Sequence, residues 1–556
     1  MRKIMFFAVI GLLLTGCSSK HEEQKLQNFI ERHVAQIKPL EKASKLAYWE
    51  AATTGNDSAY KKAAQYELEI RQIYSNKQEF EYLKNLYEKQ QIADPVLKRE
   101  LQILYFRYLQ NQIEPDLLKQ IVELGNKIEE KFSTFRPTLN GKQVTNNEIL
   151  EILKTETNSA KRKAAWQASK QVGKVVAEDI VRLVKLRNRA ARALGFENYY
   201  VMSLQVNEQN PQEIAGLFHN LAEQSFEPFR KAKVQMDRVL AERYGIDPKE
   251  MRPWHYEDPF FQETPNVYDV NLDAFYKGHD VKEIAQKFYA GIGLPVDDIL
   301  AHSDLYERPG KNPHAFCEDM DHEGDVRILC NLKNNESWME TILHELGHAV
   351  YDKNIDRSLP YLLREPAHIF TTEGIAMMFG RLSRNPFWMQ KMLGLKEEEL
   401  QKIAPTLYRY MRLKQLVFAR WSLVMYHFEK DLYQNPDRDL NRLWWQLVEK
   451  YQLVNPPQNQ DNPDWAAKIH FAIAPCYYHN YLLGELFASQ VHHYIAHNVL
   501  RADSLKEVDY VGRPEVGEYL KTHIFKVGKL YPWNEMLKKA TGNPLKADYY
   551  IQQFLK

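Results

Sequence analysis

Apolar residues recur at three- and four-residue spacing over most of the chain, the period of a helix with one buried face. Residues 20–132 carry this pattern in long, heavily charged stretches. Asn140-Gly141, between Thr138-Leu139 and Gln143-Val144, marks a hairpin turn. Thr145-Asn146-Asn147-Glu148 has the form of a capping box opening the next helix. A further long helix is expected over 164–194, with Gly195 to end it. Asn210-Pro211-Gln212-Glu213 supplies an N-cap, a first-turn proline and a first-turn acid, and that helix should run to Tyr244 before Gly245. The pattern then breaks. Pro248, Pro253, Pro259 and Pro265 interrupt a loop rich in Trp, His and Tyr, and loops of this kind often carry function. Helix returns near Val281. Residues 305–335 are the most irregular, although 325–330 alternates well enough for a short strand. Helices dominate again from Trp338 onward, apart from a loop over 455–464.

Composition agrees with this reading. Gly is scarce, while Leu, Lys, Glu, Gln and Ala are abundant, which favours helix. A chain of 556 residues can bury a large core, expected here as two lobes, approximately 20–250 and 251–556. No repeat or low-complexity linker separates them. The fold class expected is mainly α. A net charge of +1 gives no reason to expect nucleic acid as a partner. The many tyrosines and tryptophans suit either a peptide or sugar cleft or broad helix–helix packing.

One stretch changes the picture. Thr341-Ile342-Leu343-His344-Glu345-Leu346-Gly347-His348-Ala349-Val350 reads His-Glu-x-x-His inside an apolar, helix-compatible run. Positions i and i+4 share a helix face, so His344 and His348 can grip one metal from adjacent turns. Glu345, beside that face, can reach a water in the site rather than the ion itself. A catalytic zinc uses three protein ligands and leaves one position open. Glu373, in Phe370-Thr371-Thr372-Glu373-Gly374, is the expected third ligand, on the first turn of a second helix capped by Thr371 or Thr372. Glu365 is the rival, but Pro366 after it disfavours a helical setting. Two imidazoles and a carboxylate favour zinc over other divalent ions, at one Zn2+ per chain.

The N-terminus reads as a processing signal. Arg2 and Lys3 precede a short apolar run, too short to span a bilayer as a mature helix. Leu14-Thr15-Gly16-Cys17 resembles a bacterial lipobox, which implies removal of residues 1–16, lipidation of Cys17 and a membrane tether. Ser18 stands where aspartate is the usual signal for inner-membrane retention, so the outer membrane of a bacterial envelope is the expected location. Cys317 and Cys330 lie close in sequence, and an exported protein meets an oxidising compartment, so they read as either a disulfide or two buried thiols. Cys476 reads as a small buried residue.

A second constellation lies near the C-terminus, in Lys468-Ile469-His470 and in Pro475-Cys476-Tyr477-Tyr478-His479-Asn480-Tyr481. Tyrosine hydroxyls and an imidazole can donate to a developing oxyanion, and a lysine can hold a carboxylate as a point charge. The alternative is an aromatic core with polar tips.

Taken together, the His-Glu-x-x-His helix, Glu373, His314-Ala315 and the Lys468–Tyr481 segment resemble the angiotensin-converting-enzyme family of peptidyl-dipeptidases and, more loosely, the thimet-oligopeptidase family. The motifs cover about residues 300–490, with fainter echoes in Leu186-Arg187-Asn188 and Leu194-Gly195-Phe196. The resemblance implies two helical lobes around a deep central cleft, with a short β element next to the zinc helix. His344, His348 and Glu373 would bind zinc. Glu345 would act as general base and then pass the proton to the leaving amine. Tyr481 and His470 would stabilise the tetrahedral intermediate. Lys468 and Tyr478 would grip the peptide's C-terminal carboxylate, so that dipeptides are counted off. His314 and Ala315 would form an edge along which the substrate backbone lies.

The departures from the family are specific. The tyrosine pair sits one residue further from His470, so Tyr477 competes with Tyr478. Asn480 replaces an arginine that helps bind activating chloride, so no chloride dependence is expected. Met377 stands where an aspartate orients a zinc histidine. The clamp glutamine has no evident counterpart, with His255 or Tyr256 as substitutes. The function expected is a monomeric zinc peptidase releasing dipeptides from short peptides. The alternatives are an endo-acting oligopeptidase, a single-residue carboxypeptidase, or a non-catalytic surface lipoprotein that binds peptides or zinc.

Overall fold

The computed structural model describes residues 5–268 and 270–555, with side chains from Lys20 onward. The signal peptide and Cys17 lipidation expected above concern residues whose side chains lie outside that set. Among the described residues, no helix is long and apolar enough to cross a membrane.

The elements follow local chemistry closely. The first helix, α1, spans Met5–Thr54 and stops at Gly55, whose positive φ is left-handed. The Asn140-Gly141 turn joins β1 (Thr138–Leu139) to β2 (Lys142–Gln143), with both turn residues at positive φ as the tight hairpin requires. Thr145 and Glu148 form the capping box in both directions. α2 spans Ser159–Ala193, starting five residues before the expected 164 because Asn158 caps it through the Lys161 N–H. α3 spans Pro211–Tyr244, with Asn210 accepting from Gln212 and Glu213 and Gly245 closing it. β3 (Phe316–Asp319) and β4 (Val326–Leu329) pair antiparallel in the irregular region. α4 (Glu336–Lys353) carries the His-Glu-x-x-His motif and is capped by Asn335. α5 (Ile369–Gly380), α6 (Glu397–Gln434), α7 (His470–Ile473) and α8 (His479–Tyr494) complete the elements used below. The protein is mainly α, with two small two-stranded sheets among the described residues.

The chain folds into two compact units, each assembled from three separate stretches. The first takes Met1–Ile113, Lys277–Gly380 and Tyr510–Pro544, and the second takes Glu114–Tyr276, Arg381–Asp509 and Leu545–Lys556. The break expected near 250 falls inside the second unit, because the chain returns to the first only at Lys277.

In the first unit α4 packs side by side with α5. Gly347 makes this possible: a Cβ there would lie 2.7 Å from Cα of Ala376. Ile342, Leu343, Leu346, Ala349 and Val350 of α4 are fully buried, each large aliphatic side chain contributing roughly 1.5–3 kcal/mol. The Tyr289 hydroxyl donates to the Leu343 carbonyl at 2.5 Å and fixes the turn just before His344. In the second unit an aromatic cluster of Trp421, Phe428, Trp444, Trp465 and Phe471 forms much of the core, so much of the aromatic content serves helix packing.

The β3–β4 hairpin lies against α4, as the short β element was expected to do. It does not carry a disulfide. Cys317 stands opposite Ile328, and Cys330 is two residues further along, so the pair is diagonal and too far apart to bridge. Cys317, Cys330 and Cys476 are free thiols. Burial pushes both Cys317 and Cys330 well above the usual thiol range, with Asp352 and then Glu345 adding negative charge at Cys317 and Glu345 at Cys330. Met320 N–H bonds back to Asp325, so by alternation the backbone groups of residues 315, 317 and 319 face away from β4. The Asp319 carbonyl on that outer edge accepts from Lys45 Nζ at 2.6 Å. His314, exposed, precedes β3 and lies next to Ala315 at the start of this edge.

Candidate metal centre

His344 and His348 project from consecutive turns of α4, with their Nε2 atoms 3.2 Å apart. Two nitrogens bound tetrahedrally to one zinc at ~2.0–2.1 Å would stand about 3.3 Å apart. Glu373, on α5, places one carboxylate oxygen 3.5 Å from His344 Nε2 and the other 3.7 Å from His348 Nε2. These three are the one group of His, Cys, Asp or Glu side chains among the described residues arranged to hold a metal ion. Two imidazoles and a carboxylate with that spacing fit a zinc ion and leave one coordination position open.

The neighbours explain the geometry. Gly347 lets α5 approach closely, and a Cβ added at Gly380 would lie 3.3 Å from the His344 Cβ, so a larger residue there would crowd the ring. The Thr372 hydroxyl lies 2.8 Å from His348 Nδ1, so a proton on Nδ1 leaves Nε2 free as the ligand atom. The sequence left this histidine without a partner, because Met377 stands at the family's aspartate position. The cue lay one residue before the ligand glutamate. The expected capping role of Thr371 or Thr372 is not what the structure shows: α5 begins at Ile369, and both threonines lie inside it. Thr371 instead bonds the backbone of His368. Glu365 is no ligand, since its carboxylate is held by Arg107 at 2.6 Å and by Lys529.

Burial raises Glu345 to about 7, with His344 pulling it down and Glu373 pushing it up. Only 7% of its surface is exposed. Burial, then the neighbouring His344, holds His348 well below the usual imidazole range, so it is neutral and able to ligate.

In the second unit the Lys468–Tyr481 segment is built around one lysine. Lys468 Nζ donates to Gln262 Oε1 at 2.6 Å, and sits 5.3–5.6 Å from the ring centres of Trp421, Tyr478 and Phe260. Burial lowers it to about 8, against the pull of Asp258 and Glu263. Tyr478 rather than Tyr477 faces this lysine, and its hydroxyl accepts from Trp421 Nε1 at 2.6 Å. Tyr477 packs on Tyr481 instead. Gln262, and neither His255 nor Tyr256, is the side chain bonded to Lys468. His255 is spent on Ser159 and the Arg252 N–H, and Tyr256 is bonded to Lys233 and Asp237. Sequence reasoning missed Gln262 because 206 residues separate it from Lys468, although it stands in the flagged proline loop.

His470 opens α7, with Nδ1 buried and lacking a hydrogen-bond partner among the described residues. Burial, then the Lys468 charge, lowers it to about 4, so its neutral ring can donate. Arg187 holds the carbonyls of Phe471 at 3.2 Å and Ala472 at 2.6 Å, which fixes α7. Asn188, beside it, bonds Tyr433 and Tyr199. Tyr478, just before α8, and Tyr481, in its first turn, lie in ring contact. Asn480 accepts from Gln209, which also meets His479 at 2.8 Å, so a neutral buried network occupies the position of the family's chloride-binding arginine.

The profile of the family described as angiotensin-converting enzyme, Peptidase_M2, matches residues 20–248 and 259–554. Angiotensin-converting enzyme of Mesocricetus auratus is 23% identical over 463 residues, 76% of this chain and 35% of that protein. The enzyme of Rattus norvegicus is 23% identical over 431 residues, 71% of this chain and 32% of that protein. The chain therefore spans about a third of the length of these relatives. Thermostable carboxypeptidase 1 of Pyrococcus furiosus is 25% identical over 407 residues, 67% of this chain and 71% of that protein. With the match running through both units and through His344, His348 and Glu373, this chain belongs to the angiotensin-converting-enzyme family, Peptidase_M2.

Proposed function

We propose that this protein is a zinc metallopeptidase that releases dipeptides from the C-termini of short peptides. The carrying observation is the meeting of His344, His348 and Glu373 at metal-binding distances beside the buried carboxyl of Glu345. When bound, zinc supplies Lewis-acid polarisation of the scissile carbonyl and lowers the pKa of water in the site. Glu345 takes a proton from the attacking water and returns it to the leaving amine, a task suited to a carboxyl raised to about 7. Tyr481 and His470 donate to the oxyanion. Lys468, Gln262 and Tyr478 hold the C-terminal carboxylate, and His314, Ala315 and the outer edge of β3 take the substrate backbone. Lipidation at Cys17 would tether the enzyme to the bacterial envelope, in the outer membrane.

Mass spectrometry of the products from one N-blocked peptide, with metal analysis of the purified protein, tests this reading. Dipeptides and one zinc per chain support it. Internal fragments would make the protein an endopeptidase. Single amino acids would favour a carboxypeptidase, the reading supported by the Pyrococcus furiosus relative. Binding of peptide without turnover would leave a binding protein.

A further inference from the structure

We propose that Asp258 is the positioning residue that places and charges the lysine gripping the substrate's C-terminal carboxylate. This inference rests on the reading of Lys468 given above. Asp258 is 3% exposed, and it makes no ion pair within 4 Å among the described residues. Its carboxylate instead gathers three backbone N–H groups of the turn that follows it. Oδ1 accepts from Phe260 at 2.8 Å and from Gln262 at 3.2 Å, and Oδ2 accepts from Glu263 at 3.1 Å. A buried carboxylate satisfied this way winds residues 258–263 into one fixed turn.

Both products of that turn meet Lys468. The Gln262 side chain accepts from its ammonium at 2.6 Å, and the Phe260 ring lies beneath it at 5.6 Å. The same Phe260 ring carries the buried ammonium of Lys170 at 3.3 Å, so the aromatic platform between the two lysines depends on the turn being closed. Asp258 also sets a buried negative charge against the Lys468 ammonium, with the exposed Glu263 beside it. It therefore acts twice, by geometry through Gln262 and Phe260 and by field on the ammonium.

The charged and titratable groups around Lys468 come from each element packed there. Asp258 and the exposed Glu263 stand on the loop, and Lys170 stands on α2, itself facing Asp464 and Asp258. His470 stands on α7, and Tyr478 immediately precedes α8. Losing the Asp258 charge removes the strongest pull towards the ammonium form, so the lysine should lose its proton at lower pH.

The test compares wild type and Asp258→Asn, as full chains loaded with zinc, on one N-blocked peptide with a free C-terminus and on its C-terminal amide. For D258N, KM for the free acid should rise about tenfold, kcat should change little, and the alkaline rise in KM should move down by about one pH unit. The amide should be handled alike by both proteins. A turn that is merely loosened would raise KM without moving the alkaline limb, and that result overturns the assignment. An unchanged KM and limb in D258N also overturns it, provided wild type prefers the free acid. If wild type is indifferent to amidation, the carboxylate grip itself is wrong and the inference falls with it. Should D258N fail to fold, Asp258→Ser keeps a short acceptor for the turn without the charge, and the same two readouts decide.

Discussion

The Thr372 hydroxyl stands 2.8 Å from Nδ1 of His348, so the residue immediately before one candidate metal ligand meets the ring of another. Replacing it with valine removes the hydroxyl at nearly constant volume. T372V should bind zinc about tenfold to a hundredfold more weakly, and T372S should stay close to wild type. Competition against a chelator of known affinity measures both. Equal affinities in T372V and wild type would show that the contact has no bearing on the metal.

Glu345 sits beside the ligand set without belonging to it. E345Q should therefore keep one zinc per chain while kcat falls by about a hundredfold to ten-thousandfold. Zinc content and peptide turnover are measured on the same preparation. A variant that keeps full turnover would remove Glu345 from the proton transfer.

Gly347 is where α4 and α5 touch. G347A would put a methyl 2.7 Å from the Ala376 Cα, and both helices carry candidate metal ligands, so stability should fall by about 1–3 kcal/mol and zinc affinity should fall with it. Gly125 offers a control, since a Cβ there meets nothing within 4 Å. G125A should gain up to about 1 kcal/mol from helix propensity. Thermal unfolding of the two variants should move in opposite directions.

Glu429 is buried in the second unit, where its carboxylate accepts the Cys476 N–H at 2.7 Å. Burial raises it to about 8, from an ordinary value near 4.5. The folded state then holds a proton that the unfolded chain has already lost, so this group subtracts stability as pH rises from about 4.5 to 8. In E429Q, which keeps the acceptor but cannot ionise, the melting temperature should fall less between pH 6 and pH 9 than it does in wild type. Parallel pH profiles for the two proteins would show that Glu429 does not titrate in that range.

What could be read from the residues was local. The caps at Thr145, Asn210 and Gly245, the Asn140-Gly141 turn and the helical run around His344 each depend on neighbours a few positions away, and each stands where the pattern placed it. Glu373 was legible as a carboxylate in a helix-forming run downstream of His348, although that helix begins at Ile369 rather than at the threonines. The Lys468–Gln262 contact was not legible, since packing alone brings a proline-rich loop to a segment far along the chain. Nor was the state of Cys317 and Cys330, because nearness in sequence does not give strand register. The division at residue 250 missed a chain that leaves its first unit and returns to it twice.

Lys45 has a consequence beyond the site. By covering the Asp319 carbonyl it leaves only residues 315 and 317 with outward backbone groups, a stretch too short to recruit the matching strand of another molecule. A strand edge this short, closed at one end by an ammonium group, offers little for a strand of another molecule to pair with.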